Sequence, residues 1–409
     1  MGTSTDNVIT RQRAELAAET RPISGQQRLE SLDVFRGMTI AGMILVNNPG
    51  TWSAIYWPLA HADELMSEHP TGWYPGRWWV ETNQWTPTDL VFPFFLFIAG
   101  VSMVLSFRAR QARGDSRREL MKHAARRSAV ILLIGWLIHL QPHFNFSRMR
   151  YPGVLPRIAV VYLCAAMITL WTARRGRVAW IAGLLAGYYA VMRFVPVPGC
   201  DPAAWMTHHC SVAGWLDRTL MPGHLYRPDF DPEGLLSTFP AIATTLLGTL
   251  AGEFLRGAGS LRHKVRGLSI AGAAGVAAGY AWHPWFPIYK PLWTSSYVLF
   301  TAGAGCLLLA LCWWLIEMRG WRGWDRPFLW LGSNAILAYA LSTFFAKEGF
   351  VFKVTEGTQT IGVQTWIYRH WFAPLGEAKN ASLAFAICYV ALWTLVVWWF
   401  YRKRIFVRV

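Results

Sequence analysis

Apolar segments of about 20 residues recur along almost the whole chain, and they decide its fold class. A helix needs about that many mainly apolar residues to cross the hydrocarbon core of a membrane. We predict about ten such helices, over residues 32–50, 88–107, 125–142, 153–172, 178–195, 236–255, 267–283, 292–316, 327–346 and 382–401. The sequence therefore predicts an all-α, polytopic membrane helical bundle rather than a soluble enzyme.

The basic residues lie in alternate connections between these segments. They cluster at 11–28, 108–127, 174–177, 256–266, 319–326 and 402–408. Because Lys and Arg collect on the cytoplasmic side of membrane proteins, this pattern predicts that both termini are cytoplasmic. Residues 1–30, which lack the apolar core of a signal peptide, are then a cytoplasmic tail. Residues 31–409 form one membrane domain, with outer loops at 51–87, 196–235 and 347–381.

The net charge of +16 is explained by this topology, so we expect no nucleic-acid partner. Cys200 and Cys210 share the long outer loop, where they form either a disulfide or two unpaired thiols. His208 and His209 lie beside them, but no spacing typical of a zinc site is present and no metal is expected. No phosphate-binding loop, dinucleotide fingerprint or nucleophile elbow stands out either.

Polar residues at membrane depth are therefore the candidates for function, since they are costly to bury there. Asp33 and Arg36 are one helical turn apart and either pair with each other or leave Arg36 to hold an anionic cofactor. Asn47 and Asn48 precede a Pro-Gly turn and either end the first helix or donate hydrogen bonds to a reacting carbonyl.

Further polar residues stand at the outer ends of other helices. Asp89 opens the second predicted helix, where it is either an N-terminal cap or part of a site. His61 lies in the loop before it and is either solvated or catalytic. Other such residues are Trp85, Arg150, Arg157, Glu233, Ser237 and Lys290, and Asn334 lies within the ninth helix. Each alone is an interface anchor, a cap or an interhelical hydrogen bond, but together they indicate a polar outer vestibule.

Seven ordered motifs carry a resemblance to a known family. They are RLESLDVFRGMTIAGMILVNN, HA, WTPTDLVFPFFLFIAGVSM, RYPGVLPRIAVVYL, DPEGLLSTFPAIATTLLG, KPLWTSSYVLFTAG and LGSNAILAY. In this combination the chain resembles the heparan-α-glucosaminide N-acetyltransferase family of transmembrane acyltransferases, especially its bacterial NagX-type members. The resemblance covers about residues 28–345.

The resemblance implies transfer of an acetyl group from cytoplasmic acetyl-CoA to the amino group of a glucosamine-type sugar across a membrane. It implies that His61 matches the catalytic histidine, Asn47 the catalytic amide and Asp89 the motif aspartate. Residues 63–84 intervene between two motifs and include His69, which remains an alternative to His61. A bacterial protein of this kind would lie in the inner membrane with its active site facing the periplasm, where a small amino sugar is the natural acceptor.

The other candidates are assigned to two ligands. We predict that acetyl-CoA contacts Arg36, Asn48, Ser237 and Asn334. We predict that the acceptor contacts Trp85, Arg150, Arg157, Glu233 and Lys290. Partners are then acetyl-CoA, the amino sugar and membrane lipid, and a homodimer is left open as the oligomeric state.

The chemistry of the proposed catalytic residues is consistent with acyl transfer. An imidazole such as that of His61 acts either as a general base or as a transient acyl acceptor. Asn47 would donate to the oxyanion, and Asp89 would orient the imidazole or bind the substrate ammonium. Two other functions compete with this one: transport of an amino sugar, and O-acyl transfer to a surface glycan or lipid.

Overall fold

The computed structural model describes residues 29–68 and 76–407 and is mostly helical. Its helices are α1 (Glu30–Asn47), α2 (Ala62–Glu68), α3 (Arg77–Asn83), α4 (Val91–Gln111), α5 (Arg117–Leu140), α6 (Val154–Trp171), α7 (Arg174–Phe194), α8 (Val212–Leu220), α9 (Thr238–Arg256), α10 (Leu261–Trp282), α11 (Ser295–Trp313), α12 (Arg326–Ser333), α13 (Ala335–Val351), α14 (Val363–Ile367) and α15 (Ala378–Arg402). Every segment that the sequence predicts as a membrane helix overlaps one or two of these.

Five helical segments of the described chain are long and apolar enough to cross a membrane. They are Pro87–Gln111, Val154–Trp171, Thr238–Arg256, Ser295–Met318 and Ala378–Arg402. A sixth span results if α12 and α13 count as one, although they are bent by 84°. An α-helical membrane protein is thus confirmed, while the count of about ten spans and the side of the termini stay predictions.

Glycines let α4 and α9 pack closely at the centre of the bundle. A Cβ atom at Gly100 would lie 2.0 Å from the carbonyl oxygen of Thr245, and one at Gly248 would lie 2.1 Å from that of Phe97. Small residues of this kind let the backbones of membrane helices approach each other. The pair forms a fixed base for the segments that precede each helix, residues 86–90 and 231–237.

The long outer loop is closed by a disulfide between Cys200 and Cys210, which confirms the first of the two alternatives for these residues. The loop also contains α8, and its apolar side chains pack with Tyr188 of α7 and with Phe286 and Leu292. The loop after α13 contains an antiparallel hairpin of β1 (Lys353–Glu356) and β2 (Gln359–Gly362), which the sequence did not indicate. Its strands have four residues each and are too short to show a clear period.

Candidate active site

A single turn in front of α4 holds the segment that carries His61. The hydroxyl of Thr86 donates to the carbonyl oxygen of Ala60 at 2.7 Å, and the hydroxyl of Thr88 donates to that of Pro58 at 3.0 Å. Thr86 and Asp89 also form a reciprocal capping box at the start of the turn. The two motifs that flank residues 63–84 are therefore joined in space by backbone-directed hydrogen bonds.

His61 and Asp89 form a direct pair. The imidazole Nδ1 lies 2.7 Å from Oδ1 of Asp89, whose side chain is almost fully buried. The other carboxylate oxygen accepts from the backbone amides of Thr86 at 3.0 Å and Ala62 at 3.3 Å. Because a carboxylate only accepts hydrogen bonds, Nδ1 donates to Asp89, and in the neutral ring the lone pair is then on Nε2. This is the tautomer that a general base needs.

Lys290 completes the cluster from the connection between α10 and α11. Its ammonium lies 3.0 Å from Nδ1 and 3.2 Å from Nε2 of His61, and 3.7 Å from Oδ1 of Asp89. The hydroxyl of the buried Tyr297 donates to the backbone carbonyl of Asp89 and so ties this part of the chain to the same turn. The cluster thus joins an imidazole, a buried carboxylate and an ammonium group.

His61 opens into a cavity of about 200 Å³, which we call the histidine cavity. Five of the residues predicted for the site line it: Asn47, His61, Arg150, Glu233 and Lys290. Other polar residues of its wall were not assigned to the site from the sequence: Asp63, Glu64 and Arg227, and His208, which was considered only as a metal ligand. Asp63 and Glu64 belong to residues 63–84, which stand between two of the motifs and which we call the insert. The insert therefore supplies carboxylates to the cavity.

Arg150 and Glu233, which line the histidine cavity, form a charged triad with the buried Asp231. Arg150 donates to both carboxylate oxygens of Asp231, at 2.8 and 2.6 Å, and to Glu233. Burial opposes the charge on Arg150, but its bonds to Asp231 and the charge of Glu233 raise the pKa of the guanidinium. Burial likewise opposes ionisation of Glu233, but the charge of Arg150 above all lowers the pKa of this carboxyl. The wall therefore presents permanent charges.

Three of the predicted residues support the site without lining its cavity. Arg157 is buried, donates to the carbonyl oxygen of Gly234 at 3.0 Å and to the Ser237 hydroxyl, and so holds the loop that carries Glu233. The indole of Trp85 donates to the hydroxyl of Tyr280 at 3.2 Å. That hydroxyl donates in turn to Asn83, which fixes the end of the insert to α10.

A larger cavity of about 740 Å³, the basic cavity, begins about one turn further along α4 and α6 and extends to the C-terminal end of α4. Its arginine and histidine lining residues are Arg36, Arg110, Arg113, His123, Arg126 and Arg127. Arg36 donates to Asp33 at 2.9 Å and to the Ser102 hydroxyl at 2.6 Å, so it both pairs locally and lines the cavity. Its volume falls in the usual range of small-molecule sites, and its charge suits an anion.

The two cavities follow the same helix faces. Phe92 of α4 and Val154 of α6 line the histidine cavity. Phe95 of α4 and Ile158 of α6 line the basic cavity. Residues three or four apart are separated by roughly 5 Å along a helix. The two cavities are therefore separated along these faces by about one apolar helical turn.

Asn48 and Asn334 line neither cavity, although Ser333 and Ala335 on either side of Asn334 line the basic one. Asn48 donates to the carbonyl oxygen of Ile44 at 2.7 Å, within its own helix. Asn334, at the break between α12 and α13, donates to Ile405 and accepts from Val407, so it anchors the C-terminal segment. A role of either in cofactor binding stays a prediction, and His69 lies outside the described residues. Within residues 29–68 and 76–407, no cluster of three His, Cys, Asp or Glu side chains is arranged to hold a metal ion.

Comparison with known proteins identifies the family of the chain. Residues 28–283 match the family model for the catalytic region of heparan-alpha-glucosaminide N-acetyltransferase. The heparan-alpha-glucosaminide N-acetyltransferase of Homo sapiens is 28% identical over 93% of this chain and 60% of its own length. The mouse protein of the same name is 26% identical over 97% of this chain and 62% of its own length, so the chain spans about three-fifths of these relatives. The family model matches more than half of the sequence, and the chain therefore belongs to the heparan-alpha-glucosaminide N-acetyltransferase family.

Proposed function

We propose that the protein is a transmembrane N-acetyltransferase that moves the acetyl group of acetyl-CoA to the amino group of a glucosamine-type sugar. The observation that carries the proposal is the His61–Asp89–Lys290 cluster at a small cavity with several charged side chains in its wall, one helical turn from a large basic cavity. One cavity suits a small hydroxylated acceptor and the other an anionic donor. Membership of the family supports the same reaction.

The residues of the histidine cavity divide the work of acyl transfer. The acceptor amine attacks the thioester carbonyl carbon with its lone pair, and His61 Nε2 takes the proton that the nitrogen loses. Asp89 holds the ring in the tautomer that makes this step effective. Asn47 and Lys290 line the same cavity and supply donors for the negative oxygen of the tetrahedral intermediate. Collapse of that intermediate expels the CoA thiolate, which takes up a proton.

The basic cavity holds the donor in this proposal. Arginines bind phosphate oxygens through two parallel N–H groups, and five of them line the cavity. The phosphates of acetyl-CoA would lie there, with the pantetheine arm passing along α4 and α6 between Phe95 and Phe92. The acetyl group would then reach His61 from the side of the basic cavity. Acceptor and donor would thus enter from opposite ends of the bundle.

We further propose ten membrane spans with both termini in the cytoplasm of a bacterial cell and the histidine cavity facing the periplasm. The alternating basic clusters support this orientation because Lys and Arg are retained on the cytoplasmic side. The Cys200–Cys210 disulfide supports it independently, since disulfides persist in oxidising compartments. The basic cavity then faces the compartment in which acetyl-CoA is made.

The test is incubation of the purified protein with isotope-labelled acetyl-CoA and a panel of amino sugars, with products identified by mass spectrometry. We expect an N-acetylated sugar with the wild type and with His209→Ala, a control at an exposed histidine of the same outer side. We expect none with His61→Ala, and His69→Ala tests the other histidine. Absence of any acetylated amino sugar contradicts the proposal, as does sugar flux into proteoliposomes without acetyl-CoA.

A further inference from the structure

A third cavity lies among the ends of α4, α6, α7 and α9 that are remote from His61. It measures about 640 Å³ and shares no lining residue with the basic cavity. Its charged lining residues are Arg108, Arg117, Arg174, Arg177 and Glu253, and we call it the arginine cavity. Four guanidinium groups against one carboxylate leave it strongly positive. Neither the catalytic cluster nor the donor site proposed above uses any of these residues.

Arg177 is the most informative residue of the arginine cavity. Its side chain is 4% exposed, and Nη2 donates to Glu253 at 2.6 Å. Its Nε and Nη1 atoms are buried without a hydrogen-bond partner, and so is the hydroxyl of Thr169 on the neighbouring helix. Unpaired buried donors are costly, and charged donors are the most costly. A ligand with several acceptor oxygens in the cavity would satisfy them.

The chemistry of the walls identifies the class of ligand. A guanidinium presents a planar fork of donors that matches the oxygens of a phosphate group better than those of a neutral ligand. Glu253 already takes one donor of Arg177, so a bound anion must use the remaining donors and the three other arginines. A phosphate, with three or more acceptor oxygens and a full negative charge, meets both demands.

The arginine cavity lies where several apolar helices end, which is the level expected for a membrane surface. Its walls include residues from the last turn of three segments long and apolar enough to cross a membrane, Pro87–Gln111, Val154–Trp171 and Thr238–Arg256. Basic pockets between membrane helices at this depth bind phosphorylated headgroups. We propose that the arginine cavity is a phosphate-binding site, filled either by the headgroup of an anionic lipid or by a free phosphate compound.

Binding to the full-length, delipidated protein in detergent tests this site. Phosphatidylglycerol and phosphatidylcholine are titrated by native mass spectrometry, and inorganic phosphate by calorimetry. Preference for phosphatidylglycerol with no phosphate binding identifies a lipid site, whereas binding of inorganic phosphate identifies a site for a free phosphate compound. Arg117→Gln with Arg174→Gln should weaken binding about 30-fold, because each arginine near an anionic surface contributes about 1 kcal/mol.

The chain offers a matched control beside each mutated arginine. Arg118 and Arg175 are also exposed but do not line the cavity, so their double Gln variant should bind as the wild type does. Glu253→Gln should tighten binding, because it removes the competing carboxylate and releases Arg177, an outcome that damage to the fold would not produce. Binding of neither phosphate compound, or equal weakening by the control pair, would overturn the proposal.

Discussion

Asp217 should make the stability of this protein fall as the pH rises. The residue lies on α8 in the outer loop, fully buried beneath the segment that carries Glu233. One carboxylate oxygen accepts from the Leu235 amide at 2.9 Å, and the other has no hydrogen-bond partner. A Cβ atom at Gly234 would lie 1.8 Å from that second oxygen, so only a glycine fits there. The carboxyl is thus enclosed and poorly compensated.

The size of the effect follows from the pKa. Burial, above all, raises the pKa of Asp217 from 3.8 to about 7, and the charge of Asp231 acts in the same direction. The hydrogen bond from the Leu235 amide and the charges of two arginines oppose this rise. Between these two values the folded state binds more protons than the unfolded state, so the free energy of unfolding falls as pH rises. Three pKa units correspond to about 4 kcal/mol, present in full below pH 4 and lost by the time the pH has passed 7.

Asp217→Asn removes this titration while keeping an acceptor for the Leu235 amide. Its thermal midpoint in detergent should depend less on pH than that of the wild type, and the variant should be the more stable protein at pH 8. Asp201→Asn is the matched control, because Asp201 lies exposed in the same loop. If the midpoints of Asp217→Asn and the wild type shift equally between pH 5 and pH 8, burial of an uncompensated carboxylate is the wrong explanation.

Three further predictions concern the proposed site and its loop. Asp89→Asn places an amide donor at Nδ1 of His61 and so favours the tautomer with the proton on Nε2, and kcat should fall about 10²- to 10⁴-fold. Initial rates within threefold of the wild type would refute the role of Asp89. Lys290→Met should lower kcat by about 10²-fold or more through loss of an oxyanion donor, with partial recovery in Lys290→Arg; unchanged kcat would exclude that role. Cys200→Ser with Cys210→Ser should cost about 3 kcal/mol of stability, measured as a lower Tm, and an unchanged Tm would contradict it.

The sequence predicted the helices well because their signal is local. Each depends on about 20 contiguous apolar residues, and the bilayer sets that length independently of the tertiary fold. The bent pair α12 and α13 shows the limit of this signal. Residues 327–346 read as one span, but the chain turns by 84° at Asn334, where its side chain bonds the C-terminal segment instead of continuing the helix. No local pattern reports a partner about 70 residues away.

The pairing of His61 with Asp89 could be expected only in part. Two motifs predict that both residues stand near the start of α4. The segments that carry them are joined by hydrogen bonds from Thr86 and Thr88 to backbone oxygens, which the sequence does not reveal. Lys290 is separated from His61 by 229 residues and was assigned to the acceptor rather than to the imidazole itself.

The basic cavity shows why charge patterns mislead in membrane proteins. The positive-inside rule accounts equally for all the arginines at 108–127, so the sequence does not distinguish those that line a cavity from those that do not. The fold separates them: Arg110, Arg113, Arg126 and Arg127 line the basic cavity, whereas Arg108 and Arg117 line the arginine cavity. Since α4 and α5 present different faces to different neighbours, one cluster in sequence becomes two sites in space. In the orientation and anion sites that we propose, the same residues would serve both roles, and the helix packing would decide which anion each arginine reaches.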